Sequence, residues 1–249
     1  MNFELIFSHI GKYLIFLRQV FKKPDRWGIF GKRILAEIDK LGVDSLGIVT
    51  IISFFVGAVI TIQTATNLDN PFIPTYTVGT ASRESILLEF SSTIVCLILA
   101  GKVGSNISSE IGTMRITEQI DALDIMGVNS AGFLVLPKIV AMLISVPILV
   151  IYSMAIGITG GWLAGNYTGL VPSEDYVYGI LYAFRPFYVA YSLIKSTIFA
   201  FVIASVSSYW GYYTNGGALE VGKASTRSVV VSSIVILLFN LLITSLLLS

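Results

Sequence analysis

The chain has 249 residues, 55% of them hydrophobic and only 12% charged, about half the charged share of a soluble globular domain, which argues against a water-soluble fold. Sixteen Lys and Arg against fifteen Asp and Glu leave a net charge of +1, so there is no basic field to gather nucleic acid. One histidine (His9) and one cysteine (Cys96) furnish no disulfide, no multi-ligand metal site and no Ser/His/Asp triad, which disfavours most hydrolase and redox chemistry.

Residues 1–44 read as an N-terminal interfacial region. Phe3, Ile6, Phe7, Ile10, Leu14, Leu17 and Phe21 recur at helical spacing, while His9, Lys12, Arg18, Lys22 and Lys23 lie largely off that stripe. The run lacks the leading basic region and small-residue cleavage site of a signal peptide, so it is expected to stay in the mature protein. An amphipathic helix on the membrane surface fits, its basic face among anionic headgroups and Trp27 as an interface anchor. A helix docked on other helices is the alternative.

Residues 45–249 read as a five-span domain. Charges are absent from 45–68, 139–173, 196–219 and 228–249, gaps of 24, 35, 24 and 22 residues, and each is long enough for the roughly 20 apolar residues that cross a bilayer core as a helix. A further span over 86–107 carries Glu89 and Lys102; Lys102 is near its end and can snorkel, whereas Glu89 needs another reason. The stretch 133–167 is one long span or two short ones around Pro147. Charge decides: with five spans and the N-terminus inside, eight Lys and Arg of the N-terminal segment, Arg115, Lys223 and Arg227 are cytoplasmic, and splitting the stretch would move the last two outside. The fold class is therefore all-α and integral to the membrane, N-terminus in and C-terminus out.

Between spans two and three, residues 108–128 (SSEIGTMRITEQIDALDIMGV) are too polar to cross but patterned as a cytoplasmic helix. Thr113 or Thr117 suits its start, Met114, Ile116, Ile120, Leu123 and Met126 its apolar stripe, and Gly127 its end. After the third span, 168–186 opens on Pro-Ser-Glu-Asp and is rich in tyrosine, which suits an outer-interface helix, a partner surface or an aromatic belt. Gly217–Lys223 spells GxxxxGK, but Ala224 stands where a phosphate loop needs Ser or Thr and no strand precedes it. These glycines read as a flexible turn before span five, and ATP hydrolysis, if used, belongs to another chain.

The wording EIGTMRITEQIDALDIMG, with AGKVGSNISSE upstream and GGALEVGKASTRSVVVSS downstream, resembles the signature of the MlaE/YrbE permease family, membrane subunits of ABC transporters that work with MCE proteins. The resemblance covers most of 45–249. It implies a homodimer in the bacterial inner membrane moving phospholipid to or from a periplasmic MCE protein, in support of outer-membrane lipid homeostasis, through a cavity built from spans one, two and five. It implies that the helix about 110–126, with Glu110, Arg115, Glu118, Gln119, Asp121 and Asp124, couples to an ABC ATPase subunit that holds ATP and Mg, this chain having no cofactor, and it allows a cytoplasmic STAS-type accessory subunit.

Three polar side chains stand out inside the spans: Glu89, Lys195 and Asn240. Counting turns from the expected topology places all three in the outer half at similar depth, where an ionisable group is costly unpaired and faces the bundle interior or a wet cavity. A Glu89–Lys195 pair either serves the lipid cavity or fastens helices. Where relatives commonly read Arg-Glu-Leu-Gly-Pro, this chain has Leu88-Glu89-Phe90-Ser91-Ser92, and Asn240 replaces a frequent Asp. Lys195 is then the main cation left for a lipid phosphate, with Arg83, just outside span two, as a substitute. Two rivals are a self-sufficient channel or secondary carrier using Glu89 and Lys195, for which no inverted repeat is evident, and an intramembrane lipid-modifying enzyme, which lacks a second acid within the spans.

Overall fold

The computed structural model describes residues 3–22, 27–68, 70 and 72–247, and every regular element among them is helical. Helix α1 covers Phe3–Val20 and α2 Trp27–Glu37; a π turn (Ile38–Gly42) and a 3-10 turn (Val43–Ser45) lead into α3, Leu46–Asn67. One helical run then contains α4 (Tyr76–Ser85), a π stretch (Ile86–Ile94), α5 (Val95–Leu99), a second π turn (Ala100–Gly104) and α6 (Ser105–Ile116). It is followed by α7 (Gln119–Ile125), α8 (Ser130–Thr168), α9 (Ser173–Leu181), α10 (Pro186–Tyr212) and α11 (Ala218–Leu247).

Five helices are long and apolar enough to cross a membrane: Phe30–Asn67, Tyr76–Ile116, Ser130–Thr168, Pro186–Tyr212 and Ala218–Leu247. Each overlaps one of the five charge-poor stretches and starts before it, because helix continues through polar residues that reach water or pair. Pro147 does not split α8, which runs unbroken for 39 residues; membrane helices absorb the lost N–H within their neighbours. By compactness the chain forms two units, the first of Met1–Val43, Ile98–Ser145 and Phe199–Leu238, the second of Asp44–Leu97, Val146–Ile198 and Phe239–Ser249, a division that does not follow the linear one at residue 44.

In the first unit, α1 is docked on α10. Phe16 and Val20 are fully buried, and the Phe16 ring lies 5.2–5.9 Å from those of Tyr209, Tyr212 and Tyr213. The Tyr13 and Ser205 hydroxyls are 2.7 Å apart; burial pushes the Tyr13 phenol above its ordinary range, offset in part by that bond. His9 bonds the Tyr209 hydroxyl at 3.1 Å instead of joining a basic face. Of the expected apolar stripe, Ile10, Leu14 and Phe21 are exposed, Phe21 with its ring stacked 6.4 Å from that of Phe201. The side chains of Phe3, Ile6, Phe7, Lys23 and Trp27 lie outside the described ones.

In the second unit, glycines set the helix spacing. A Cβ on Gly57 of α3 would lie 1.9 Å from the Gly157 carbonyl oxygen of α8, and one on Gly160 2.3 Å from that of Phe54; such small-residue seams let membrane helices gain van der Waals contact without a hydrophobic driving force. Likewise a Cβ on Gly179 of α9 would stand 2.1 Å from the Tyr76 oxygen of α4. Arg83 locks this second seam. It is 1% exposed and donates to the carbonyls of Ile180 (2.7 Å) and Tyr182 (2.9 Å) at the end of α9, where a cation also suits the helix dipole. Against the expectation that Arg83 substitutes as a headgroup cation stands this placement: Nη1 is held by the two carbonyls and Nη2 faces Glu84 Oε1 at 3.3 Å.

Candidate functional site

The second unit brings Glu89, Lys195 and Asn240 into one cluster. Glu89 lies in the π stretch, Lys195 mid-α10 and Asn240 near the end of α11. Lys195 Nζ donates to Glu89 Oε1 at 3.0 Å, to the Leu88 carbonyl at 3.2 Å and to Tyr191 Oη at 3.2 Å. Asn240 Nδ2 donates to Glu89 Oε2 at 3.1 Å, and Thr244 Oγ1 lies 3.4 Å from Oε1. Thr93 Oγ1 is 3.0 Å from Glu89 Oε2 and 3.1 Å from Asn240 Oδ1; its one proton serves one of these acceptors at a time.

The burial of the pair is unequal. The Lys195 side chain is 0% exposed and that of Glu89 41%. All three ammonium donors are spent inside, so the expectation of Lys195 as the cation offered to a phosphate is corrected; the charged group with an open edge is Glu89. Asn240 keeps the cluster neutral, one ammonium against one carboxylate, and an isolated charge would be expensive at membrane depth. Three members escaped the sequence reading: Thr93, Tyr191 and Thr244. Each stands four residues from an expected one (89 and 93, 191 and 195, 240 and 244), so the i,i+4 rule was the signal that finds them.

The region 108–128 differs from the single helix expected. Helix α6 stops at Ile116, Glu118 takes a left-handed conformation with φ 61°, and α7 restarts at Gln119. The Thr117 hydroxyl bonds back to the Thr113 carbonyl at 2.8 Å, and Arg115 and Asp121 pair across the break at 2.6 Å, offsetting a backbone strain of order 1 kcal/mol. Gly127 ends α7 as expected, with φ 78°, its N–H on Asp124 and that of Val128 on Leu123, both 3.0 Å, a Schellman closure. Glu118, Gln119 and Asp124 are exposed, beside Ile125 at 87% and Met126 at 67%.

Glu110 stands apart from that tip. Its Oε2 is held between Lys40 (2.8 Å) and Lys138 (2.9 Å), and Lys138, 3% exposed, also pairs with Glu37 at 2.7 Å. The residue expected in the coupling set is thus an internal tie among α6, the α2–α3 junction and α8. In the glycine segment, α11 begins at Ala218, so Gly222 and Lys223 are already helical, and Lys223 pairs with Glu220 at 2.6 Å. This replaces the expected flexible turn, because once Gly217 has passed nothing in the segment bars helix.

Comparison with known proteins agrees with this architecture. The family model described as Permease MlaE matches residues 34–246. A probable ABC transporter permease protein of Rickettsia bellii is 38% identical over 95% of this chain and 91% of its own length. One of Synechocystis is 31% identical over 96% and 90%. The chloroplastic protein TRIGALACTOSYLDIACYLGLYCEROL 1 of Arabidopsis thaliana is 29% identical over 87% of this chain and 62% of its own length.

Proposed function

Because the chain belongs to the MlaE permease family, and is with its relatives a multi-pass permease subunit of the ABC transporter type, we propose that it moves phospholipid between the bacterial inner membrane and a periplasmic MCE protein. In this reading it works as a homodimer with a cytoplasmic N-terminus and a periplasmic C-terminus, and a separate ATPase subunit, with ATP and Mg, drives it. A relative named for a glycolipid is in keeping with a lipid cargo.

The observation that carries the reading is the neutral Lys195–Glu89–Asn240 cluster inside apolar spans. Polar groups at that depth are retained where they meet a polar ligand or a wet cavity. Glu89, with one edge open, and the neighbouring Asn240 and Thr244 would meet a headgroup, while buried Lys195 sets the local charge. The exposed tip Glu118–Met126, with three acids and Gln119 beside the exposed Ile125 and Met126, suits docking on the ATPase, a polar rim around a small apolar anchor. Drive from ATP then amounts to differential lipid affinity in two states.

Affinity purification from the native membrane, with mass spectrometry of proteins and lipids, tests the proposal. Recovery of an ATPase, an MCE protein and near-stoichiometric phospholipid is the expected result, with any STAS-type subunit appearing in the same eluate. Recovery of the chain alone under gentle extraction would overturn it and promote a self-sufficient carrier built on Glu89 and Lys195.

A further inference from the structure

The π stretch Ile86–Ile94 has no cause in glycine or proline. Residues 80–100 contain neither, and departures from α geometry need a cause such as proline, glycine or serine pairs, or a side chain inserted at the hydrogen-bond ladder. The Ser91-Ser92 pair is a weak one, the Ser92 hydroxyl reaching the Leu88 carbonyl at 3.4 Å. Helix α10 supplies stronger ones. The Ser192 hydroxyl donates to the Leu87 carbonyl, and Lys195 Nζ to the next carbonyl, Leu88, at 3.2 Å.

Ser192 and Lys195 are three residues apart and therefore share a face of α10. Both are fully buried, so water does not compete. A carbonyl has two lone pairs and can accept a second donor beside its ladder partner, and widened π turns turn these oxygens outward to receive one. Glu89 is the residue immediately after the gripped pair. A π turn holds one residue more than an α turn, so its loss would rotate Glu89 by about 100° against its neighbours, away from Asn240 and Thr244.

We infer that Ser192 is a positioning residue: with Lys195 it clamps two consecutive carbonyls of the π stretch and so aims the Glu89 carboxylate at Asn240 and Thr244. The Ser192 hydroxyl is spent on the Leu87 carbonyl, so it acts through the backbone. The inference rests on the proposed lipid function for its consequence, but the clamp itself is testable without it.

Ser192→Ala, Ser192→Thr and Ser192→Cys would be compared in the purified complex by hydrogen exchange of peptides covering 86–94 and 199–212, and by lipid transfer to acceptor vesicles. In Ser192→Ala, exchange over 86–94 should rise about tenfold, the loss of one buried hydrogen bond, with 199–212 unchanged and transfer falling by a similar factor. Ser192→Thr should restore both, since it restores the hydroxyl. Ser192→Cys, a weak donor of similar size, should fall between and serves if the alanine variant does not fold. Unchanged exchange over 86–94 overturns the clamp; raised exchange with wild-type transfer overturns the positioning role. A wild-type complex that moves no lipid is a failure of the functional reading instead, and the exchange data still decide the clamp.

Discussion

Each compact unit buries one lysine against carboxylates, and the two lysines are treated differently. Lys138 in the first unit is enclosed by two acids, Glu37 and Glu110, with Lys40 on Glu110 and the Arg33 guanidinium in the field of both acids. Lys195 in the second unit has a single acid, Glu89, and its other donors fall on a backbone carbonyl and a tyrosine. In the first arrangement the sealed cation has two acids and three chain segments are tied by it, with the open edge on Lys40, 43% exposed. The second keeps its cation sealed and leaves 41% of its anion exposed. A cation shared by two carboxylates ties the segments that carry them, whereas a partly open pair in apolar spans retains capacity for a ligand. On the proposed lipid function the contrast would separate a fastening from a ligand site, two roles that composition alone leaves indistinguishable.

Substitutions can break that contrast. The largest stability effect is expected from Lys138→Met, which leaves Glu37 and Glu110 without their shared buried cation; loss of one partner of a buried ion pair costs ~3–5 kcal/mol, read as a lowered unfolding temperature of the detergent-solubilised protein. Lys195→Met should cost less, about 1–3 kcal/mol, because Glu89 can take water on its open edge, yet it should reduce lipid transfer by about tenfold or more. Equal stability losses in these two variants would erase the distinction drawn here.

Finer tests follow from the same pairings. Adding Glu89→Gln to Lys195→Met should recover part of the stability, with a coupling energy of roughly 0.5–3 kcal/mol for residues in contact, while transfer stays low; thermal unfolding of the four members of the cycle measures it. The smallest effect is expected from Lys40→Met. Its side chain is 43% exposed, so the pair with Glu110 is worth about 0.2–1 kcal/mol, and the variant should transfer lipid as the wild type does.

Much of this was legible in the residues. Charge gaps marked the spans because the hydrocarbon core penalises ionisable groups, and turn counting brought Glu89, Lys195 and Asn240 to one level because α-helical rise is constant. What escaped depends on which neighbour a side chain meets. Glu110 reads as a solvated helix charge until Lys40 and Lys138 are placed beside it. Arg83 reads as a loop cation until the end of α9 arrives beneath it. The break at Thr117–Glu118 is invisible to periodicity, since neither residue is a breaker and an Arg115–Asp121 pair closes over it. The π stretch is induced by donors from a helix a hundred residues away in sequence, so no local window contains its cause.

The most direct measurement is lipid transfer by reconstituted Lys195→Met complex, compared with wild type at matched amounts of folded, ATPase-bound protein and with the bound lipid quantified by mass spectrometry. Transfer and bound phospholipid should both fall by about tenfold or more while the ATPase still associates. Transfer and lipid occupancy at wild-type levels would contradict this expectation and reduce the Lys195–Glu89 pair to a fastening like that of Lys138.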